Sequence, residues 1–184
     1  MLKAFFRKNP ALEAGGALYA KAVEQARLER FYTDHGVPDT AEGRFEMVAL
    51  HVYLLMRRLK ASDGDDARRR KDVSQCLFDT MFQNMDDSLR EMGVGDLAVA
   101  RKIRALAENF YGRLGAYEAA LKTDAPVSAL AEALSRNVYE EKAAPQAHAL
   151  AQYVIRADGA LAGQPLNRIA GGIALFPEPE EVKS

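Results

Sequence analysis

The chain has almost no cysteine: a single thiol, Cys76, in 184 residues. One thiol closes no internal disulfide, so the fold cannot rest on a disulfide framework, and the count favours a reducing compartment. Cys76 stands between Gln75 and Leu77 in an apolar helical pattern, the setting of a packing thiol rather than a nucleophile. Tryptophan is absent, and the only histidines are His35, His51 and His148. None has a second histidine or a cysteine at metal-ligand spacing; H-E-x-x-H, C-x-x-C and the E-x-x-H of di-iron bundles are all missing. No G-x-S-x-G elbow exists either. The expectation is a protein with no catalytic residue, no metal site and no cofactor. His51, on an apolar helix, reads as a hydrogen-bonded core residue.

Charge of one sign is lacking too. Lys and Arg number 25 against 26 Asp and Glu, for a net charge of −1. No global field draws the chain to nucleic acid, and a dedicated DNA-binding protein is excluded from the reading. Long hydrophobic runs are also missing. The richest, Met47–Met56, is interrupted by His51, followed by Arg57 and Arg58, and falls well short of the roughly 20 residues of a membrane span. Residues 1–11 carry Lys3, Arg7 and Lys8 around Leu2, Phe5 and Phe6, a basic-aromatic tip too short for a secretory or mitochondrial leader. The expected location is the cytoplasm, with a peripheral position at the inner face of the cytoplasmic membrane as the extension the basic residues allow.

What is present is helical period. Hydrophobic residues make up 48% of the chain and charged ones 28%, an ordinary globular balance for one domain. Apolar residues recur at helical spacing in six stretches: Leu12 to about Phe31, Asp39–Thr40 to about Lys60, Val73–Leu89, Leu97–Leu121, Pro126 to about Glu140, and Pro145 to about Arg156. No strand-like alternation is sustained. The fold class expected is all-α, a compact single-domain bundle of about six helices spanning 1–184, with an irregular tail over about 160–184. The second stretch is apolar on most sides and should be the central helix. Asp39 or Thr40 can cap its start, Gly93 suits a left-handed helix stop, and Asp96 can cap the following helix. Ile169, Ile173, Leu175 and Phe176 are the tail residues able to dock on the body.

Two features offer binding surfaces. Arg57, Arg58, Lys60, Arg68, Arg69, Arg70 and Lys71 surround one loop, with Arg101, Lys102 and Arg104 on the fourth helix. They read either as a solvated face, partly neutralised by Asp63, Asp65 and Asp66, or as a patch for ribosomal RNA or anionic lipid. Met47, Met56, Met81, Met85 and Met92 join Phe45, Phe78 and Phe82 on the second and third helices; most are core, and an exposed subset would suit an apolar client segment. Gly93-Val94-Gly95-Asp96 looks like a phosphate-loop fragment but lacks the strand before it and the Lys-Ser/Thr after it.

Several stretches are similar to the ubiquinol–cytochrome c chaperone family. They are Phe31-Tyr32-Thr33-Asp34-His35-Gly36-Val37-Pro38-Asp39-Thr40, Gly43-Arg44-Phe45, Arg57-Arg58-Leu59, Leu77-Phe78, Met85-Asp86, Leu89 to Asp96, and Phe110-Tyr111-Gly112-Arg113 with Ala116-Tyr117. Together they cover about Leu18 to Val138. The resemblance implies an all-helical, non-enzymatic factor for assembly of respiratory complex III, which binds newly made cytochrome b. In mitochondrial members it implies a place near the ribosomal exit tunnel and a small partner protein; this chain, without a long amino-terminal extension, is more similar to the bacterial type. The client face expected from it is Tyr32, Val37, Pro38, Asp39, Gly43 and Phe45, with Leu89, Arg90, Met92, Gly93, Val94, Gly95, Asp96 and Tyr111. The competing readings are an RNA- or membrane-surface adaptor using the basic residues, and a small haem-handling protein using His35, His51 or Tyr53.

Overall fold

A computed structural model describes residues 9–60 and 66–181. Most of the basic N-terminal tip, and the loop with Asp63 and Asp65, lie outside the described residues. The elements are α1 (Pro10–Ala26), α2 (Arg30–Thr33), α3 (Ala41–Lys60), α4 (Ala67–Glu91), α5 (Asp96–Leu121), α6 (Pro126–Asn137), α7 (Ala147–Ala162) and α8 (Leu166–Ile169). No strand occurs among the described residues.

Each start and stop has a local cause. Asn9 accepts the Ala11 amide at 3.1 Å and Pro10 follows it, so α1 begins on a cap and a pre-set φ. The expected first helix to Phe31 breaks after Ala26. The Tyr32 hydroxyl donates to the Ala26 carbonyl at 2.7 Å, satisfying that helix end, and the separate turn of α2 drives Phe31 into the core with no exposed surface. At α3 the cap is Thr40, whose hydroxyl accepts the Gly43 amide at 3.1 Å; Asp39 instead binds Arg44 at 2.6 Å. At α5 the cap position is Gly95, and Asp96, expected there, sits one residue inside and pairs with Arg90. Gly93 has φ +79°; its amide reaches the Arg90 carbonyl at 2.9 Å and the Val94 amide reaches Leu89 at 3.1 Å, a Schellman stop for α4.

The central helix is α3, with eleven buried residues, among them Met47, Leu50, Val52, Leu54 and Leu55. It packs on α1 and α4 on one side and on α7 and α8 on the other, and α6 bridges α5 and α7. Gly15 lets α1 lie directly on α4: a methyl there would stand 2.7 Å from the Cys76 Cβ. α7 runs through Gly159 to Ala162, beyond the expected end. Arg58 donates to the Leu161 and Gln164 carbonyls at 2.9 and 2.8 Å and so satisfies its C-terminus.

The tail is less irregular than expected. It contains α8, whose Ile169 is fully buried. Beyond it, Gln164 clamps the Leu175 backbone through both amide atoms, at 2.7 and 2.9 Å. Phe176 stands edge-on to His51 with ring centroids 5.0 Å apart. Gln25 donates to the Pro177 carbonyl at 2.7 Å and Arg156 pairs with Glu180 at 3.3 Å. Ile169 and Phe176 dock; Ile173 and Leu175 face solvent.

Candidate functional site

The first candidate segment folds as a corner onto the start of α3. After Gly36, whose φ is +63°, the Val37 amide returns to the Phe31 carbonyl at 3.0 Å and Val37 is buried. Pro38 then crosses α3 so closely that a Cβ at Gly43 would lie 2.0 Å from the Pro38 carbonyl oxygen. Gly43 is therefore required by the crossing itself and is buried rather than presented. Tyr32, Pro38 and Phe45 are half-buried, and Asp39 is exposed.

One turn further along α3, Glu46 is buried and held by Arg113 of α5 through both carboxylate oxygens, the Nε contact being 2.5 Å. Burial pushes the Glu46 carboxyl up to about 7 even against the Arg113 charge. The pair stitches this corner to α5. A cavity of about 230 Å³ opens there, lined by Pro38, Gly43 and Glu46 on one side and by Asn137, Val138 and Glu140 after α6 on the other. None of Glu46, Arg113, Asn137 and Glu140 was a candidate from the sequence. The available signal was an acidic residue inside the apolar stripe of the central helix.

The second candidate segment caps the antiparallel α4–α5 pair. Phe78 and Phe82 of α4 meet Phe110 of α5 at 5.7 and 6.1 Å, and Tyr111 stacks on Phe78 at 5.5 Å while remaining 57% exposed. At the turn itself Met92 is 70% exposed and Leu97 91%, with Leu89 and Val94 half-buried beside them. Arg90 is fastened between Asp86 and Asp96. Fifteen residues of helix separate Asp96 from Tyr111, about 22 Å along the axis. The fourteen candidates thus form a buried-to-half-buried corner, an aromatic step at Tyr111 of α5, and an apolar tip, rather than one continuous face. Leu97, the most exposed large apolar side chain among the described residues, is not one of them.

The basic residues divide as well. Arg57 is occupied by Glu118 and Asp158 at 2.6 and 2.9 Å, Arg58 caps α7, and Arg70 is buried with its Nε on the Leu59 carbonyl at 3.2 Å. Arg68, Arg69 and Lys71 remain exposed at the start of α4, and Arg101, Lys102 and Arg104 near the start of α5. The antiparallel pairing puts the two groups at opposite ends of α4, roughly 25 Å apart.

Of the three residues named for haem handling, two use their polar atoms internally. His51 is sealed, its Nδ1 on the Met47 carbonyl at 2.7 Å and its Nε2 on the Tyr153 hydroxyl at 2.8 Å. A carbonyl only accepts, so Nδ1 carries the proton and Nε2 accepts from Tyr153. The Tyr53 hydroxyl donates to Glu118 at 3.2 Å. His35 is buried beneath Glu180, its own carbonyl accepting the Tyr139 hydroxyl at 2.7 Å. Among the described residues no three His, Cys, Asp or Glu side chains cluster as metal ligands, and no helix is long and apolar enough to cross a membrane.

The family model described as "Ubiquinol-cytochrome C chaperone" matches residues 33–176. A solved structure, the Cbp3 homolog from Brucella abortus, superposes with a TM-score of 0.80 at 37% identity, covering 94% of this chain and 93% of that one. The ubiquinol-cytochrome-c reductase complex assembly factor 1 of Xenopus laevis is 24% identical over 125 residues, which are 68% of this chain and 60% of that protein. The factor of the same name from Homo sapiens is 25% identical over 139 residues, 74% of this chain and 44% of its own length. The chain therefore spans about half the length of these curated relatives.

Proposed function

This chain belongs to the ubiquinol–cytochrome c chaperone family, and from that premise we propose that it is a non-enzymatic assembly factor for respiratory complex III, which receives newly made cytochrome b on the α4–α5 pair. The observation that carries the reading is the exposure of Met92, Leu97 and Tyr111 on a helix pair whose other large apolar residues are buried or half-buried. Burying a large apolar side chain contributes about 1.5–3 kcal/mol. A few such contacts, opposed by the cost of ordering the client, give reversible holding rather than permanent association. Met92 at the tip adds an adaptable side chain suited to varied apolar segments. Deleting the gene should lower assembled complex III while the cytochrome b transcript persists, and cytochrome b should co-purify with the protein from translating cells. Normal complex III in the deletion strain would reject the reading.

A second contact, with a ribosome or an anionic membrane surface at the inner face of the cytoplasmic membrane, is favoured by one observation. Arg101, Lys102 and Arg104 are exposed and engaged in no ion pair among the described residues. Replacing the three by Ala should abolish co-sedimentation with ribosomes or anionic liposomes, and raised salt should reproduce the loss.

A further inference from the structure

Residues 173–181 follow α8 as a strap without regular secondary structure. Gly172, at φ +90°, makes the turn into it. Side chains of the body hold its backbone. Gln164 takes both the Leu175 amide and carbonyl, Gln25 of α1 donates to the Pro177 carbonyl at 2.7 Å, and Arg30 of α2 donates to the Pro179 carbonyl at 3.3 Å. Phe176 sits on His51 of α3, and Ala174 and Pro179 are buried. The far end is fastened by Arg156 of α7 to Glu180 at 3.3 Å, a carboxylate that is 72% exposed. No helix or ladder runs through the strap, so it can lift while the helices keep their own hydrogen bonds.

His35 lies beneath this strap. It is sealed from solvent, packs on the Phe31 ring with centroids 5.7 Å apart, and meets the Glu180 backbone with ring nitrogens that make no hydrogen bond of normal geometry. The charged groups facing it are Asp34 on its own segment, Arg156 from α7 and Glu180 from the strap. From the α6 side, Tyr139 donates to the His35 carbonyl rather than to the ring. Asp34 and Glu180 favour the charged imidazole and Arg156 opposes it, but burial outweighs them all and holds the pKa of His35 below the ordinary 6.5. Arg156 is itself confined there, with one guanidinium nitrogen buried and unbonded. A protonated imidazole has two N–H donors to satisfy, and the closed seat admits no water to them. Lifting the strap supplies that water and moves no helix.

We propose that the strap is an acid-sensitive latch: protonation of His35 lifts residues 173–181 and uncovers the aromatic seat that Phe31, His51 and Tyr153 form under Phe176, while the helices stay folded. The latch is independent of the complex III reading and holds whether or not the α4–α5 tip receives a client. A proton taken up by the lifted state favours lifting as pH falls, so the open-to-closed ratio rises by up to about tenfold per pH unit below 6.5, as far as the pKa that His35 has under the closed strap. The test is amide hydrogen exchange, read by NMR on the full chain from pH 7.5 to 5 and corrected for the intrinsic pH dependence of exchange. Protection of the Leu175 amide, which is bonded to Gln164, should fall with that slope, while Leu54 in the middle of α3 keeps its protection. His35→Leu gives up no ring hydrogen bond of normal geometry and should flatten the slope at Leu175. His35→Gln, neutral and polar, should flatten it too, which covers the case in which the apolar replacement weakens the fold. His51 is present in the parent and in both variants, so any slope it adds is common to all three. Equal slopes in parent and variants, protection at Leu175 that does not change with pH, or loss of protection at Leu54 in step with Leu175 would each overturn the proposal.

Discussion

His51 and Glu46 lie less than two turns apart on α3, and burial moves them in opposite directions. His51 is held neutral, its pKa pushed down to about 4 by burial, within a relay from Gln25 through the Tyr153 hydroxyl to the Met47 carbonyl. The unfolded chain takes up a proton near the ordinary value of 6.5, so this residue's contribution is complete above that pH and is lost as pH falls from 6.5 through 4. Glu46 is raised by burial from 4.5 to about 7. Its contribution is complete below 4.5 and is lost as pH rises through 7. Between 4.5 and 6.5 the two slopes oppose each other, each being on the order of a few kcal/mol over its window. Removing one should expose the other. Glu46→Gln keeps an acceptor for Arg113 and removes the titration; relative to the parent chain its urea midpoint should rise as pH is raised from 5 to 7.5. His51→Phe should lower stability overall, since it leaves the Tyr153 O–H without its acceptor while Gln25 still donates to the oxygen, but should flatten the acid side of the profile between 6.5 and 4. Parallel pH profiles for a variant and the parent would show that the titrating group lies elsewhere.

The helices themselves make sharper mutational contrasts, because neighbouring glycines meet different surroundings. Gly16 has open space where a Cβ would go, so Gly16→Ala should raise stability by about 0.5–1 kcal/mol through helix propensity and unfolded-chain entropy. Gly15→Ala places a methyl 2.7 Å from Cys76 and Leu77 and should force α1 off α4. Gly43→Ala meets the Pro38 carbonyl at 2.0 Å and should be the worst of the three, with a clear drop in the melting midpoint. In the sequence these glycines look alike, whereas the apolar rows beside them do not. Leu50, Leu54, Val73, Leu77, Leu130 and Leu134 announce their helices by spacing, and all are buried. The stops at Gly36 and Gly93 were equally legible, because a left-handed turn has a residue signature. What spacing could not disclose is contact between distant residues. Glu46 and Arg113 are 67 positions apart, so neither reads as half of a buried pair. Arg58 and Arg70 look like surface charge until α7 and the end of α3 supply the carbonyls they bond. The same limit hid the order in the tail, whose few apolar residues dock only because α1, α3 and α7 leave a seat for them.

The assembled bundle encloses its core around α3 and leaves the α4–α5 pair as the part with the least covering, and a functional test can use that asymmetry. Core truncation and tip substitution should separate stability from assembly. Leu54→Ala, fully buried on α3, should cost roughly 2–5 kcal/mol and lower activity only by lowering the amount of folded protein. Met92 and Leu97 are 70% and 91% exposed, so a Met92→Gln/Leu97→Gln variant should change stability by no more than about 0.5 kcal/mol per site. If the tip receives an apolar client, that variant should nonetheless lower assembled complex III and the cytochrome b recovered with the protein, at unchanged protein level. Tyr111→Ala should act in the same direction with a partial fold cost, because its ring also covers Phe78. Restoring an apolar side chain of different shape, Leu97→Met, should recover assembly, since such a surface selects for apolar area more than for shape. Full complex III with the glutamine pair, at normal protein level, would move the client face away from the tip and toward the Tyr111 step or the corner at Gly43, where the same measurement on exposed positions would locate it.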